Sequence, residues 1–181
     1  DSDFLVGIVA TNQARKDWNL GIRTCAELIR RGVNLKLWCH TDVLERYWSL
    51  PNLITDYGLQ DKVVITNAKF TDEQMARFYS ACNVCLSIGL GEGFGYPTYE
   101  ALSCETPVVA GRYCGSEWLP EGNTVASIAS RYEGIYCCKR PVYDALDWAD
   151  AAQSVGITPF PEELDWNTLW PRWENWLKEG L

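Results

Sequence analysis

The sequence predicts an α/β protein built on a Rossmann-like parallel sheet with helices on both faces. Short apolar runs of strand length alternate along the chain with longer segments of helical periodicity, which is typical of repeated βα units. Polar or glycine-rich loops follow several of the apolar runs. At 181 residues, of which 47% are hydrophobic, the chain has the size of one domain.

The predicted elements follow one another in regular alternation. The strands are placed where four to seven residues are mostly apolar, and the helices where apolar residues recur every three or four positions. The predicted strands cover residues 4–10, 35–39, 62–66, 84–88 and 106–110. The predicted helices cover residues 18–31, 42–49, 72–80 and 96–104.

The end of the chain is rich in tryptophan. Trp166, Trp170, Trp173 and Trp176 recur at helical spacing, and Pro171 is expected to restart or kink such a helix. Stacking on a sugar is one interpretation of these aromatic residues. An apolar stripe at this spacing more commonly packs against the body of the domain, so we predict packing.

Residues 89–111 are the most informative segment for function. Glycines occupy positions 89, 91, 93 and 95, between the predicted strand 84–88 and the predicted helix 96–104. Glycine allows positive φ and close approach of the backbone to a ligand, and Pro97 suits the first turn of a helix. The positive end of the helix dipole at such a junction favours an anion such as phosphate.

Two carboxylates, Glu92 and Glu100, lie eight positions apart in the same segment. Two acceptors on one rim suit a ligand that is rich in hydroxyl groups. Structural interpretations are also open: Glu92 can be a solvated loop residue, and Glu100 near a helix start is stabilised by the dipole alone, by about 0.3–1 kcal/mol.

The stretch Glu92-Gly-Phe-Gly-Tyr-Pro-Thr-Tyr-Glu100, followed by Thr106-Pro-Val-Val-Ala110, resembles the E-x7-E signature of family 4 glycosyltransferases. These are retaining enzymes with the two-domain GT-B architecture. Supporting stretches are residues 4–10, 79–84, 140–148 and 165–166, so the resemblance extends over roughly residues 3–178.

The resemblance implies that residues 1–181 form the carboxyl-terminal, donor-binding half of a GT-B fold. It implies a UDP-, GDP- or ADP-sugar as donor, a glycan or lipid-glycan as acceptor, and transfer with retention. No cofactor is implied. The acceptor-binding amino-terminal domain is absent from this chain and is expected in cis or in trans. The isolated chain is therefore expected to bind donor weakly and to transfer sugar poorly or not at all.

The resemblance also assigns roles to individual residues. Glu92 is implied to contact hydroxyls of the donor sugar, and Glu100 to accept hydrogen bonds from the ribose. The backbone of residues 93–95 is implied to lie against the sugar and the diphosphate. The predicted catalytic residues are Glu92, Lys16 and Arg15. The predicted donor-binding residues are Gly91, Gly93, Phe94, Gly95, Tyr96, Glu100, Thr11, Asn67 and Ala68.

The chain departs from the family where a diphosphate clamp is expected. The family places an arginine directly after the first strand and a lysine five or six residues later. Lys16 matches the lysine, but Thr11 stands at the arginine position. Arg15 can take over that role, or Lys16 can act together with the amino terminus of the helix that begins near residue 18.

Residues 67–70 follow the third predicted strand and are the candidate wall for the nucleotide base. Phe70 can equally be a hydrophobic staple for the helix that begins near Thr71. His40 follows the second strand and is interpreted as structural. Residues 114–118 follow the fifth strand and can approach the donor, or Glu117 can be a surface acid.

Composition excludes several classes of function. The net charge of −8 and the pI near 4.7 argue against a nucleic-acid binder or a ligand of anionic membranes. No apolar run reaches the length of a transmembrane helix, so no integral membrane segment is expected. The eight cysteines fall mostly in apolar patterns, which favours structural thiols in a reducing, cytoplasmic setting.

The sequence also bears on metal use and on competing functions. It has no Asp-x-Asp between apolar runs and a single histidine, so no metal site is predicted. A noncatalytic nucleotide-sugar binding module is the alternative if Thr11 marks a lost clamp. An NAD dehydrogenase is disfavoured, because the loop at 11–17 lacks the glycines of G-x-G-x-x-G.

Overall fold

The computed structural model describes residues 3–134 and 137–179; the side chains of Cys114, Leu177 and Glu179 lie outside this description. Its main sheet has six strands in the order β3-β2-β1-β4-β5-β6, and every pairing is parallel. The predicted α/β class with a parallel sheet is therefore confirmed. The strands are β1 (Phe4–Val9), β2 (Leu35–His40), β3 (Val63–Thr66), β4 (Val84–Ser87), β5 (Val108–Gly111) and β6 (Thr124–Val125).

Helices connect the strands and close the chain. They are α1 (Trp18–Arg30), α2 (Leu50–Asp56), α3 (Asp72–Ala81), α4 (Tyr96–Ser103), α5 (Ala145–Ser154) and α6 (Trp166–Glu179). A separate antiparallel hairpin pairs β7 (Ala129–Glu133) with β8 (Cys138–Val142). The strands predicted from the sequence end at residue 110, so β6, β7 and β8 are additions from the structure.

The sheet buries apolar side chains on both faces, as parallel strands require. Val6 and Ile8 of β1 belong to one apolar cluster, in which α1, α2 and α5 take part. Leu5 and Val9 point the other way and pack against a second cluster formed with α3 and α4. The predicted helices on both faces are therefore present.

The strand order fixes where a ligand can bind. From β1 the chain moves outward to β2 and β3, and then returns to place β4 on the other side of β1. The loops after β1 and β4 therefore leave neighbouring strands in opposite directions. In doubly wound sheets, the crevice at this switch point is where ligands bind.

The prediction of a helix at residues 42–49 is wrong, because a loop occupies these positions and α2 begins at Leu50. The buried Asn12 side chain forms hydrogen bonds with backbone groups of this loop. Its amide nitrogen donates to the carbonyls of Val43 and Trp48, and its oxygen accepts from the N–H of Trp48. Pro51, in the first turn of α2, suits a helix start at this point.

The prediction that the tryptophan stripe packs against the domain is also not supported. Trp166, Trp170, Trp173 and Trp176 on α6 are between 46% and 64% exposed. Two ring contacts, between Trp166 and Trp170 and between Trp173 and Trp176, lie within the helix itself. The helix runs on through Pro171 rather than restarting there.

The described cysteine side chains carry free thiols. Cys25, Cys39, Cys82 and Cys85 are buried, as expected of small apolar residues in a core. Burial raises the pKa of the Cys25 and Cys39 thiols, which keeps them protonated. In the part of the chain that is described, no helix has both the length and the apolar character needed to cross a membrane.

Candidate functional site

An open cavity of about 710 Å³ lies at the switch point of the sheet. Pockets of roughly 300–1,000 Å³ are typical of small-molecule and cofactor sites. Ten of the twelve predicted site residues line this cavity, and Gly91 and Glu100 do not. The lining residues are Val9, Ala10, Thr11, Arg15, Lys16, His40, Thr41, Asp42, Asn67, Ala68, Lys69, Glu92, Gly93, Phe94, Gly95, Tyr96 and Pro97.

Backbone hydrogen bonds fasten the loop after β1 to the loop after β4. The N–H of Asp17 donates to the Ile88 carbonyl at 2.9 Å, and the N–H of Leu90 donates to the Arg15 carbonyl at 2.8 Å. The two loops thus pair as a short antiparallel bridge between Lys16 and Gly89. This bridge brings two cations beside the glycine-rich loop, although the two segments are more than seventy positions apart in sequence.

Asn12 is the internal anchor of the first loop. Its side chain is fully buried and holds the 43–48 loop through three hydrogen bonds, while its own N–H donates to Asp42 at 2.7 Å. The sequence interpretation did not single out this residue. An asparagine directly after a strand is common in turns, and only the structure reveals how many partners it has.

Glu92 accepts hydrogen bonds from two cations through one oxygen. Arg15 Nη1 lies 2.8 Å from Glu92 Oε1, and Lys16 Nζ forms an ion pair with the same atom. The Lys16 and Glu92 side chains are only 10% and 12% exposed. The Glu92 side chain folds back over Gly89, where a Cβ atom would come within 2.6 Å of Oε1. Glycine at position 89 is therefore needed for this arrangement.

Burial shifts the ionisation of Lys16. It lowers the pKa of the Lys16 ammonium, and the hydrogen bond and charge of Glu92 oppose this effect. The side chain is thus a desolvated donor in contact with an anion. Electrostatic attraction to a phosphate is stronger in such surroundings than at a water-exposed position.

The amino terminus of α1 is not open for an anion. The Asp17 carboxylate caps this helix and accepts a hydrogen bond from the N–H of Leu20 at 3.0 Å. Burial raises the pKa of Asp17, and the Leu20 N–H opposes that rise. A phosphate here would meet an occupied cap and a carboxylate. The structure therefore favours Arg15, rather than the terminus of α1, as the second anion-binding group beside Lys16.

The glycine-rich loop supplies unpaired backbone N–H groups along the cavity. Among residues 3–134 and 137–179, those of Gly93, Phe94, Gly95 and Tyr96 have no hydrogen-bond partner. Gly95 is the N-cap of α4 with φ of 88°, a left-handed conformation that favours glycine. Unpaired N–H groups and the positive end of a helix dipole favour an anion. Residues 93–96 line the same cavity as Arg15 and Lys16.

Glu100 lies on α4, outside the lining of the cavity. Its Oε2 accepts a hydrogen bond from the buried Tyr79 hydroxyl at 2.7 Å, so α3 holds this carboxylate. Burial and this hydrogen bond raise the pKa of Tyr79 and keep the hydroxyl a donor. The assignment of Glu100 to ribose binding stays a prediction.

The far end of the cavity is formed by the loops after β2 and β3. Asn67 and Ala68 lie there, next to Lys69, and their contact with a nucleotide base stays a prediction. His40 also lines the cavity, and its ring stacks on Phe70 at 4.3 Å between centroids. Phe70 thus supports the His40 ring from behind. The sequence predicts a structural role for His40, and its contacts with Phe70 and with the Thr66 hydroxyl at 2.9 Å are consistent with that role.

His40 gives a test of this end of the cavity, because it is the only histidine in the chain. Burial lowers its pKa below the ordinary value of 6.5. Between its pKa in the folded protein and 6.5, the unfolded chain binds more protons, so stability should fall as pH falls through this window. A proton NMR titration of the His40 ring should give a pKa below 6.5. As a control, Phe70→Ala should move it back toward 6.5. A wild-type value at or above 6.5 would contradict the described packing.

The loop after β5 supports the glycine-rich loop from outside the cavity. The Tyr99 hydroxyl donates to the Gly115 carbonyl at 2.8 Å, and a Cβ at position 115 would come within 2.7 Å of the Phe94 carbonyl oxygen. None of the described groups of residues 114–118 lines the cavity, and Glu117 is exposed. This loop therefore packs against the backbone of Phe94 and does not itself line the cavity.

Among the described residues, no group of three or more His, Cys, Asp or Glu side chains is arranged to hold a metal ion.

The fold and the cavity define an α/β domain with a cavity at its sheet switch point, lined by two cations and a glycine-rich loop. The family follows from comparison with known proteins: residues 4–153 match the model of the family described as glycosyl transferases group 1, and the chain belongs to this family. The D-inositol 3-phosphate glycosyltransferase of Saccharomonospora viridis is 29% identical over 146 residues, which cover 76% of this chain and 31% of that protein. Across three curated relatives, the matched part is 20–31% of their length.

Solved structures with the same fold are GT-B glycosyltransferases. Anabaena HepE, solved in complex with UDP and glucose, superposes with a TM-score of 0.65 at 19% identity, over 84% of this chain and 38% of that one. The carboxyl-terminal domain of LpcC, a group 1 family glycosyl transferase from Francisella tularensis, gives a TM-score of 0.65 at 15% identity. The superposition covers 83% of this chain and 73% of the LpcC domain.

Proposed function

We propose that this chain is the donor-binding domain of a family 4 glycosyltransferase and holds a nucleoside-diphosphate sugar, with UDP, GDP or ADP as the nucleotide. The observation that carries the proposal is the convergence of Arg15, Lys16 and the free N–H groups of residues 93–96 on one cavity. Family membership and the similarity to Anabaena HepE, which was solved with UDP and glucose, support it.

The chemistry of transfer matches these groups. Breaking the bond between the anomeric carbon and the diphosphate leaves negative charge on the leaving group. Fixed cations and N–H donors stabilise this developing charge, and one well-placed donor contributes about 3–4 kcal/mol. Arg15 and Lys16 are suited to this task, and Glu92 can accept hydrogen bonds from the sugar hydroxyls.

The finer features of the proposal follow from the family resemblance. We propose transfer with retention of anomeric configuration, without a metal or other cofactor, in a cytoplasmic setting. The acceptor is proposed to be a glycan or lipid-glycan that binds a separate amino-terminal domain. Since that domain would supply the other wall of the active site, we expect residues 1–181 alone to bind donor weakly and to transfer sugar poorly or not at all. Robust transfer by this chain alone would contradict this part of the proposal.

A noncatalytic nucleotide-sugar binding module is the second candidate. It is favoured by Thr11, which lines the cavity at the position where the family has an arginine and carries no charge. The ion pair of Arg15 with Glu92 favours catalysis instead, because it places a guanidinium in the cavity. Transfer assays on the full-length protein, as wild type and as Arg15→Gln, separate the two candidates. Transfer by the wild type that Arg15→Gln abolishes supports a catalytic clamp, and donor binding by the wild type without transfer supports the binding module.

Calorimetric titration tests the proposed function directly. The protein is titrated separately with UDP-, GDP- and ADP-sugars, and with NAD as a control ligand. Binding of at least one nucleotide sugar supports the proposal. Absence of heat with all three, combined with binding of NAD, would overturn it and favour a dinucleotide-binding protein.

The ribose assignment gives a mutational prediction. Glu100→Ala is expected to weaken nucleotide-sugar binding by about tenfold or more, because a hydrogen bond to a charged group contributes about 1.5–3 kcal/mol. Tyr79→Phe is the companion variant, since it releases Glu100 Oε2 without removing the carboxylate. The measurement is calorimetry with the preferred nucleotide sugar. An unchanged affinity for Glu100→Ala would rule out the ribose contact.

A further inference from the structure

One carboxylate of the protein partly neutralises two cations of the cavity. Arg15 and Lys16 both contact Glu92 Oε1, so the carboxylate oxygen occupies the place of an anionic ligand atom. This contact lies within the cavity lining rather than at the protein surface. The charge of Glu92 therefore opposes the attraction of the two cations for a diphosphate, and a diphosphate that takes the same donors must displace the carboxylate.

From this competition, and resting on the proposed function, we infer that Glu92 is a specificity-determining residue that makes the site prefer nucleotide sugars to free nucleoside diphosphates. A diphosphate without a sugar takes donors from the mostly buried carboxylate and offers none in return. A nucleotide sugar brings hydroxyl groups, which can donate to the displaced carboxylate.

The cost of displacement follows from burial. The Glu92 side chain is 12% exposed, so water can only partly solvate the carboxylate after its cations are taken. A buried charge that loses its partner is strongly disfavoured. The sugar hydroxyls replace the lost hydrogen bonds, whereas a free diphosphate does not. The same carboxylate thereby weakens retention of the nucleotide product after the sugar has left.

The chain contains a matched control for this inference. Glu27 on α1 also accepts hydrogen bonds from two cations, Arg30 and Arg31, at 2.7 Å. These arginines lower the pKa of Glu27 to about 2, so it is a carboxylate under the same conditions. It does not line the cavity. Glu27→Gln therefore makes the same chemical change away from the ligand.

The experiment compares Glu92→Gln, Glu27→Gln and wild type by calorimetry with inorganic pyrophosphate, a nucleoside diphosphate and the matching nucleotide sugar. We expect Glu92→Gln to bind pyrophosphate and nucleoside diphosphate about tenfold more tightly, since no carboxylate then offsets the charge of the two cations. The nucleotide sugar should gain less, so its advantage over the diphosphate should fall. Glu27→Gln should change none of the three affinities.

The possible failures are distinguishable. If wild type binds a nucleotide sugar and Glu92→Gln gains no affinity for diphosphate or pyrophosphate, the inference is wrong and the proposed function stands. If wild type binds no nucleotide or nucleotide sugar, the proposed function is overturned. If Glu92→Gln does not fold alone, the inference predicts that millimolar pyrophosphate restores a cooperative thermal transition. Absence of that rescue overturns the inference.

Discussion

Replacing Lys16 with methionine is expected to weaken binding of a nucleoside diphosphate or nucleotide sugar by about 10- to 100-fold. A hydrogen bond to a charged group contributes about 1.5–3 kcal/mol, and each 1.4 kcal/mol is a factor of ten. Lys16 is buried beside Glu92, so in the variant one cation fewer offsets the charge of that carboxylate, which then repels an incoming anion more strongly. Methionine keeps most of the apolar stem, which limits loss of packing. The measurement is calorimetry at constant ionic strength.

Lys62→Met is the control for this prediction. Lys62 carries the same charge, but its ammonium donates to Asn34 in an exposed position away from the cavity. Its replacement should leave nucleotide affinity unchanged. If Lys16→Met binds as tightly as Lys62→Met, Lys16 does not contact the diphosphate.

Replacing Asn12 with alanine is expected to have the largest effect on stability, about 2–4 kcal/mol. The change removes three side-chain hydrogen bonds to residues 43 and 48 and leaves the buried partner groups unsatisfied. For a chain of this size, the melting temperature should fall by roughly 5–15 °C. Thermal unfolding followed by circular dichroism gives the measurement.

Asn34→Ala serves as the matched variant. Asn34 also makes side-chain hydrogen bonds, to Asp3 and Lys62, but they are exposed to water. Its loss should therefore change the melting temperature by no more than about 2 °C, in line with small effects at surface sites. Equal effects of the two variants would mean that Asn12 does not anchor the loop.

Much of the fold could be predicted, because its signals are local. Apolar runs and helical periodicity gave the order and approximate bounds of β1 to β5, α1, α3 and α4. The prediction of a helix at 42–49 was wrong for a nonlocal reason. The backbone N–H and carbonyl of Trp48 are hydrogen-bonded to the side chain of Asn12, which lies in a different loop. The exposure of the α6 tryptophans could not be predicted either, because spacing alone does not show what an apolar face contacts.

Candidate site residues could be selected where residue type carries the chemistry. The glycine-rich loop, Glu92 and Lys16 were selected in this way, and the structure brings them to one cavity. Two features depended on three-dimensional geometry: the bridge between Lys16 and Gly89, and the attachment of Glu100 to Tyr79. Neither leaves a pattern in the sequence, because each joins segments that are distant along the chain.

The most direct test of the central claim is a crystal structure of this protein with a bound nucleoside diphosphate. The proposal predicts that the diphosphate lies in the switch-point cavity, within hydrogen-bond distance of Lys16 Nζ and of backbone N–H groups of residues 93–96. The base should lie toward His40 and Asn67. A nucleotide bound at another surface, or an empty cavity at saturating nucleotide, would contradict the assignment of a donor site.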